Sequence, residues 1–173
     1  MGIFAQHTFG INITPPLADG THIGVDFSPI NLLRAGFNFP VEISIASILR
    51  KPPLNMPFSS IITTAHFDTG ASVTSIDIEL ANYLNLPITG QSENRTASGH
   101  QKMPIFTIDI SFPSTQLSPF HNLRISSCKL GFDITNNMNP SKPRNIGILI
   151  GRDIMSRWNI IWNGPTSTVI ISD

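Results

Sequence analysis

Prolines and glycines set the limits of this chain: 14 Pro and 12 Gly are spread along 173 residues, which favours many short elements over a few long helices. Between them the apolar residues alternate. Ile11/Ile13, Ile23/Val25/Phe27, Val41/Ile43/Ile45, the stretch 105–110 and Val169–Ile171 all read as strands of about 4–8 residues. Turn-rich connections are expected at 51–57 and 136–145, the second dense in Asn and Pro. Two segments break the pattern. Thr74-Ser75-Ile76-Asp77 resembles a helix start with capping oxygens, followed by Ile78, Ala81, Tyr83, Leu84 and Leu86 on one side and a stop before Pro87. A second short helix is expected after Gly151-Arg152-Asp153, carrying Ile154, Met155 and Trp158. The class is therefore mainly β, with one or two short helices.

The charges exclude several functions. Eleven basic and 11 acidic residues give zero net charge, so no cationic face for nucleic acid can be assembled. No apolar run approaches the roughly 20 residues of a membrane span. Cys128 is the only cysteine, which leaves no internal disulfide and no thiolate zinc site and fits a reducing compartment. The start of the chain is a poor signal peptide, so a cytoplasmic location is expected. Five His residues lack metal-ligand spacing, and no phosphate-cradling Gly-rich loop is present. Trp158 and Trp162 read as core, Cys128 as a small apolar residue and His66 as a packing or solvent-facing side chain.

The chemistry concentrates after residue 60. A β-prone run, Ile61-Ile62-Thr63-Thr64-Ala65-His66-Phe67, delivers Asp68 into a turn made by Thr69, Gly70, Ala71 and Ser72. Gly70 permits close approach of another backbone, and the Thr69 hydroxyl can fix the loop. One such carboxylate hydrolyses little alone. Two of them about 3 Å apart would share a proton, the ionised member acting as base on a water while the protonated one polarises a carbonyl.

Phe67-Asp68-Thr69-Gly70-Ala71-Ser72 resembles the active-site loop of retropepsin-like aspartic proteases. Ile146-Gly147-Ile148-Leu149-Ile150-Gly151-Arg152-Asp153 is similar to the strand and helix start that lie behind that loop in the same family. The joint match covers about 41–173, leaving 1–40 as an N-terminal extension that either packs on the core or becomes ordered only with a partner. The resemblance implies an all-β closed acid-protease barrel and a homodimer, because the chain has one Asp-Thr-Gly; the nearest second loop, Phe132-Asp133-Ile134-Thr135, lacks the Gly. It further implies an aspartic endopeptidase cleaving extended peptide segments through a water held between two Asp68 carboxylates, with no cofactor. Thr69 would brace the paired loops and Gly70 would bond the substrate backbone.

Under that resemblance Gln91 to Phe106 suits a flap hairpin. Thr96, Ala97, Ser98 and Gly99 would form its tip and contact substrate together with Ala71 and Ser72. Gly151, Arg152 and Asp153 would support the loop. Acids often follow the loop in the viral enzymes, but here Ser72 and Val73 stand there, so the partner of Arg152 is open between the surroundings of Asp153, the N-terminal block and the other subunit. The family's chain ends usually help form the dimer interface, for which Thr168-Val169-Ile170-Ile171 is β-prone enough. The alternative function is a binding or assembly module that keeps the barrel with little proteolysis.

Overall fold

The computed structural model describes residues 5–8, 36–50, 60–96, 99–113, 115, 117–139, 141–142, 145–163 and 168–173. In chain order the elements are β1 (Ala5–Thr8), β2 (Asn38–Ile45), β3 (Ser60–Phe67), β4 (Ser75–Asp77), α1 (Ile78–Tyr83), β5 (Ile88–Thr96), β6 (Gly99–Ser111) and β7 (Phe120–Cys128). Then follow α2 (Ile134–Asn137), β8 (Ile146–Ile150), α3 (Arg152–Met155), β9 (Asn159–Asn163) and β10 (Thr168–Ser172). A 3-10 turn over Ser47–Leu49 follows β2. No helix among the described residues is long and apolar enough to cross a membrane.

Six strands close a barrel in the order β2-β3-β8-β4-β7-β6, and β6 pairs back onto β2 to seal it. Closure leaves no open edge in this ring, the usual hazard of a β-rich chain. The period-2 pattern explains the inside. β2 buries Phe39, Val41 and Ile43 and β3 buries Ile61, Thr63, Ala65 and Phe67, while intervening residues stay partly exposed. Each fully buried Ile or Phe is worth about 1.5–3 kcal/mol of apolar transfer. Strand β6 is covered on both faces from Phe106 to Ile110. Its polar members are paired: Thr107 with the Thr89 hydroxyl, and Asp109 with Arg50 and the backbone N–H groups of Ser47 and Asn122.

At one end of the barrel Phe37, Phe39, Phe67, Phe112, Phe120 and Trp158 form an aromatic cluster. The Phe37–Phe67 centroids are 4.1 Å apart and the Phe112–Trp158 centroids 5.3 Å. Phe67, the last residue of β3, is thus fixed just before the chain turns into Asp68. The barrel takes up the chain at Asn38, ahead of Val41, with Phe37 already in the core. The alternating pairs at 11–13 and 23–27, and the connection at 51–57, lie outside the described residues.

A three-stranded sheet, β1-β10-β9, accompanies the barrel. Both edges of β10 are therefore occupied within the chain, and its Val169 and Ile171 are buried in the core.

Three local readings need correction. Ser75–Asp77 is strand β4 rather than a helix start, because parallel pairing with β7 and antiparallel pairing with β8 consume those residues. The cap of α1 is Asp77. Its Oδ1 accepts the Glu79 N–H at 2.8 Å and its Oδ2 those of Leu130 at 2.5 Å and Phe132 at 3.3 Å, so one buried carboxylate ties α1 to the chain leaving β7. The Asn-rich connection contains α2, capped by Asp133. Finally, Trp162 is 51% exposed rather than core, on β9 beside Ile161 at 60%.

Candidate active site

The Asp68 loop springs from the end of β3 and is built by backbone geometry. The Asp68 N–H donates to the Ile150 carbonyl at 3.1 Å, extending the parallel β3–β8 ladder by one rung. The chain then turns, with the Ala71 N–H donating to the Asp68 carbonyl at 3.1 Å. Within the turn the Gly70 N–H donates to Asp68 Oδ1 at 2.8 Å, which orients the carboxylate. A Cβ at Gly70 would stand 3.0 Å from that same oxygen, so a side chain here would crowd the acid. Asp68 is half-buried, and Thr69 and Gly70 are exposed.

The second motif packs directly against this loop. The Arg152 backbone N–H donates to the Ala71 carbonyl at 3.0 Å, and Arg152 Nη1 donates to the carbonyls of Thr69 at 2.7 Å and Gly70 at 3.2 Å. Asp153 receives the Thr74 N–H at 3.0 Å and the Thr74 hydroxyl at 2.8 Å, and also caps the Ile154 N–H at 2.9 Å. The Gly151 N–H donates to Thr74 Oγ1 at 3.0 Å. A relay of donors thus runs from Gly151 through Thr74 to Asp153, holding the exit of the loop against the start of α3. Space matters as much as bonding: a Cβ at Gly151 would lie 2.5 Å from the Val73 carbonyl carbon and 2.8 Å from the Thr74 nitrogen.

The structure therefore brings Asp68, Thr69, Gly70 and Ala71 together with Gly151, Arg152 and Asp153, and leaves Ser72 and Val73 exposed beside them. Thr96 and Gly99 face each other as the last rung of the β5–β6 hairpin; Ala97 and Ser98 lie outside the described residues. Thr74, which fastens the whole assembly, is a site residue that the sequence pattern alone does not mark. Its signal is a hydroxyl-bearing residue just past the loop, but its partner Asp153 is 79 positions away.

Several other acids and nucleophiles among the described residues are committed elsewhere. Asp133 caps α2, and its carboxyl is held below the usual carboxylate range by the Thr135 hydroxyl and N–H. His66 Nδ1 sits 2.7 Å from Asn38 Oδ1 while its ring lies against Gly36. The Cys128 thiol contacts the Ile76 carbonyl at 3.8 Å, and burial followed by the nearby Asp77 carboxylate pushes it up to about 12. A folded-state value raised above the ordinary 9.0 means the thiol keeps its proton where the unfolded chain has lost it. That contribution to stability is complete below about pH 9 and is lost as pH rises toward 12. Alkylation of native protein at pH 8 should accordingly be slower than in denaturant, because the native thiolate fraction is smaller by about 10³-fold, as read by mass spectrometry. Equal rates in the two states would contradict the burial argument.

The sequence matches no protein-family model and no curated protein. Among solved structures the chain is similar to a crystal structure of a retropepsin-like aspartic protease from Rickettsia conorii, at 20% sequence identity, with 78% of this chain and 92% of that chain covered and a TM-score of 0.41.

Proposed function

We propose that the chain is an aspartic endopeptidase that acts as a homodimer, with one Asp68 from each protomer. The observation that carries the reading is the pinning of a half-buried carboxylate on a loop that is fastened by Gly151, Arg152 and Asp153. None of those bonds goes to the Asp68 side chain itself, whose one hydrogen bond among the described residues is from the Gly70 N–H. The fastening fixes where the carboxylate sits while leaving its second oxygen for a reactant. Fixing a reacting group in this way is a large part of what catalysis requires.

One carboxylate cannot be base and acid at once, and Asp133 is spent on a helix cap. A second Asp68 related by a two-fold axis supplies the missing half, with a water between the two acids attacking the peptide carbonyl. Thr69 braces the paired loops, and Gly70 and Ala71 face the extended substrate, with Ser72 at the rim. The β5–β6 hairpin, with Thr96, Ala97, Ser98 and Gly99 at its tip, is the flap. Because β10 is flanked on both sides, the outer strands of its sheet make the dimer contact, and β9 offers Ile161 and Trp162 as apolar surface to bury. The test is digestion of a denatured protein from acid to neutral pH, with and without pepstatin. Pepstatin-sensitive cleavage is expected. A folded sample that cleaves nothing, or cleaves with no response to pepstatin, contradicts the proposal.

A further inference from the structure

We propose that Arg152 is a specificity-determining residue that favours substrates carrying a carboxylate side chain a few positions from the scissile bond; this rests on the endopeptidase reading above. The guanidinium is exposed, yet it is held in place. Nη1 is spent on the carbonyls of Thr69 and Gly70, one and two residues past Asp68. Its Nε and Nη2 donors have no hydrogen-bond partner among the described residues. Nor does any carboxylate of the described residues lie within ion-pair distance, the ion pairs there being those of Asp109 with Arg50 and His121. The adjacent Asp153 is consumed by Thr74 and Ile154. Ser72 and Val73, exposed beside the loop, bring no counter-charge.

A fixed cation with a free planar fork is the group that best matches a carboxylate. Since the chain has zero net charge, this attraction is local to the loop and not a property of the whole surface. A substrate lying extended along the loop advances about 3.3 Å per residue, so the acid reaching Arg152 sits a few residues from the bond cleaved.

Matched peptides with Glu or Gln at each position around the cleaved bond test this, through kcat/KM in wild type, Arg152→Gln and Arg152→Lys. At low salt one position should prefer Glu by about fivefold, the size of a good exposed ion pair, expressed in KM. The preference should vanish in Arg152→Gln, survive in Arg152→Lys and fade at about 1 M salt. An active wild type indifferent to Glu at every position overturns the proposal and leaves the endopeptidase intact. So does an unchanged preference in Arg152→Gln. Should that variant fail to fold, a wild-type preference unmoved by salt overturns it instead. A folded wild type that cleaves no peptide defeats the endopeptidase reading, and this proposal with it.

Discussion

Asp68→Asn should abolish peptide cleavage, by about 10³-fold or more, while the protein stays folded. An amide neither takes a proton from water nor shares one with a second carboxylate, so both halves of the proposed acid–base exchange are lost. The fold should survive because the side chain's structural duty is small. Among the described residues it accepts one N–H, from Gly70, and an Asn oxygen can accept that bond equally well. Removal of the proposed like-charge pair should, if anything, raise the melting temperature of the proposed dimer. Circular dichroism and thermal melting establish folding, and a fluorogenic peptide assay measures the loss. A well-folded Asp68→Asn protein with retained activity would end the account.

Gly151→Ala should be the most damaging single methyl in the motif. The backbone there, at φ −90° and ψ 178°, suits any residue, so the effect is one of space alone. The new Cβ would be 2.5 Å from the Val73 carbonyl carbon, 2.7 Å from its oxygen and 2.8 Å from the Thr74 nitrogen. Backbone atoms cannot rotate aside. Relief requires moving either the exit of the Asp68 loop or the start of α3, and either motion stretches the Gly151–Thr74–Asp153 relay. A cost of about 3 kcal/mol corresponds to a fall of about 6–12 °C in melting temperature for a chain of this size. Activity should drop further than stability, because the displaced segment carries Asp68. Unchanged melting and activity would show that the loop and α3 are not rigidly coupled.

How much of this was legible beforehand follows from the range of each interaction. The Asp68 turn is local, made by residues 68–71 on one another, and its glycine and hydroxyl are readable in order. The strands at 41–45 and 169–171 were legible because alternation survives wherever one face meets a core. The stretch 105–110 keeps an alternation although both its faces are covered, because its polar members Thr107 and Asp109 find hydrogen-bond partners. Thr74-Ser75-Ile76-Asp77 misled because its side chains suit a cap, while its conformation is decided by β7 and β8, which are distant in sequence. Only the last of the four residues caps a helix. Likewise Trp162 has the composition of core, but β9 lies at the edge of a three-stranded sheet and exposes it. The partnership of Thr74 with Asp153 has no local trace at all.

The shared dyad is tested most directly by mixing. Wild-type and Asp68→Asn chains are unfolded together, refolded at fixed total concentration, and assayed as the wild-type fraction is varied. If each active site takes one Asp68 from each of two protomers, only pairs of wild-type chains cleave, and activity follows the square of the wild-type fraction. At an equal mixture it should be about a quarter of the wild-type value. Activity that falls in simple proportion, to about one half at that point, would mean that each chain works alone and would contradict the two-carboxylate mechanism.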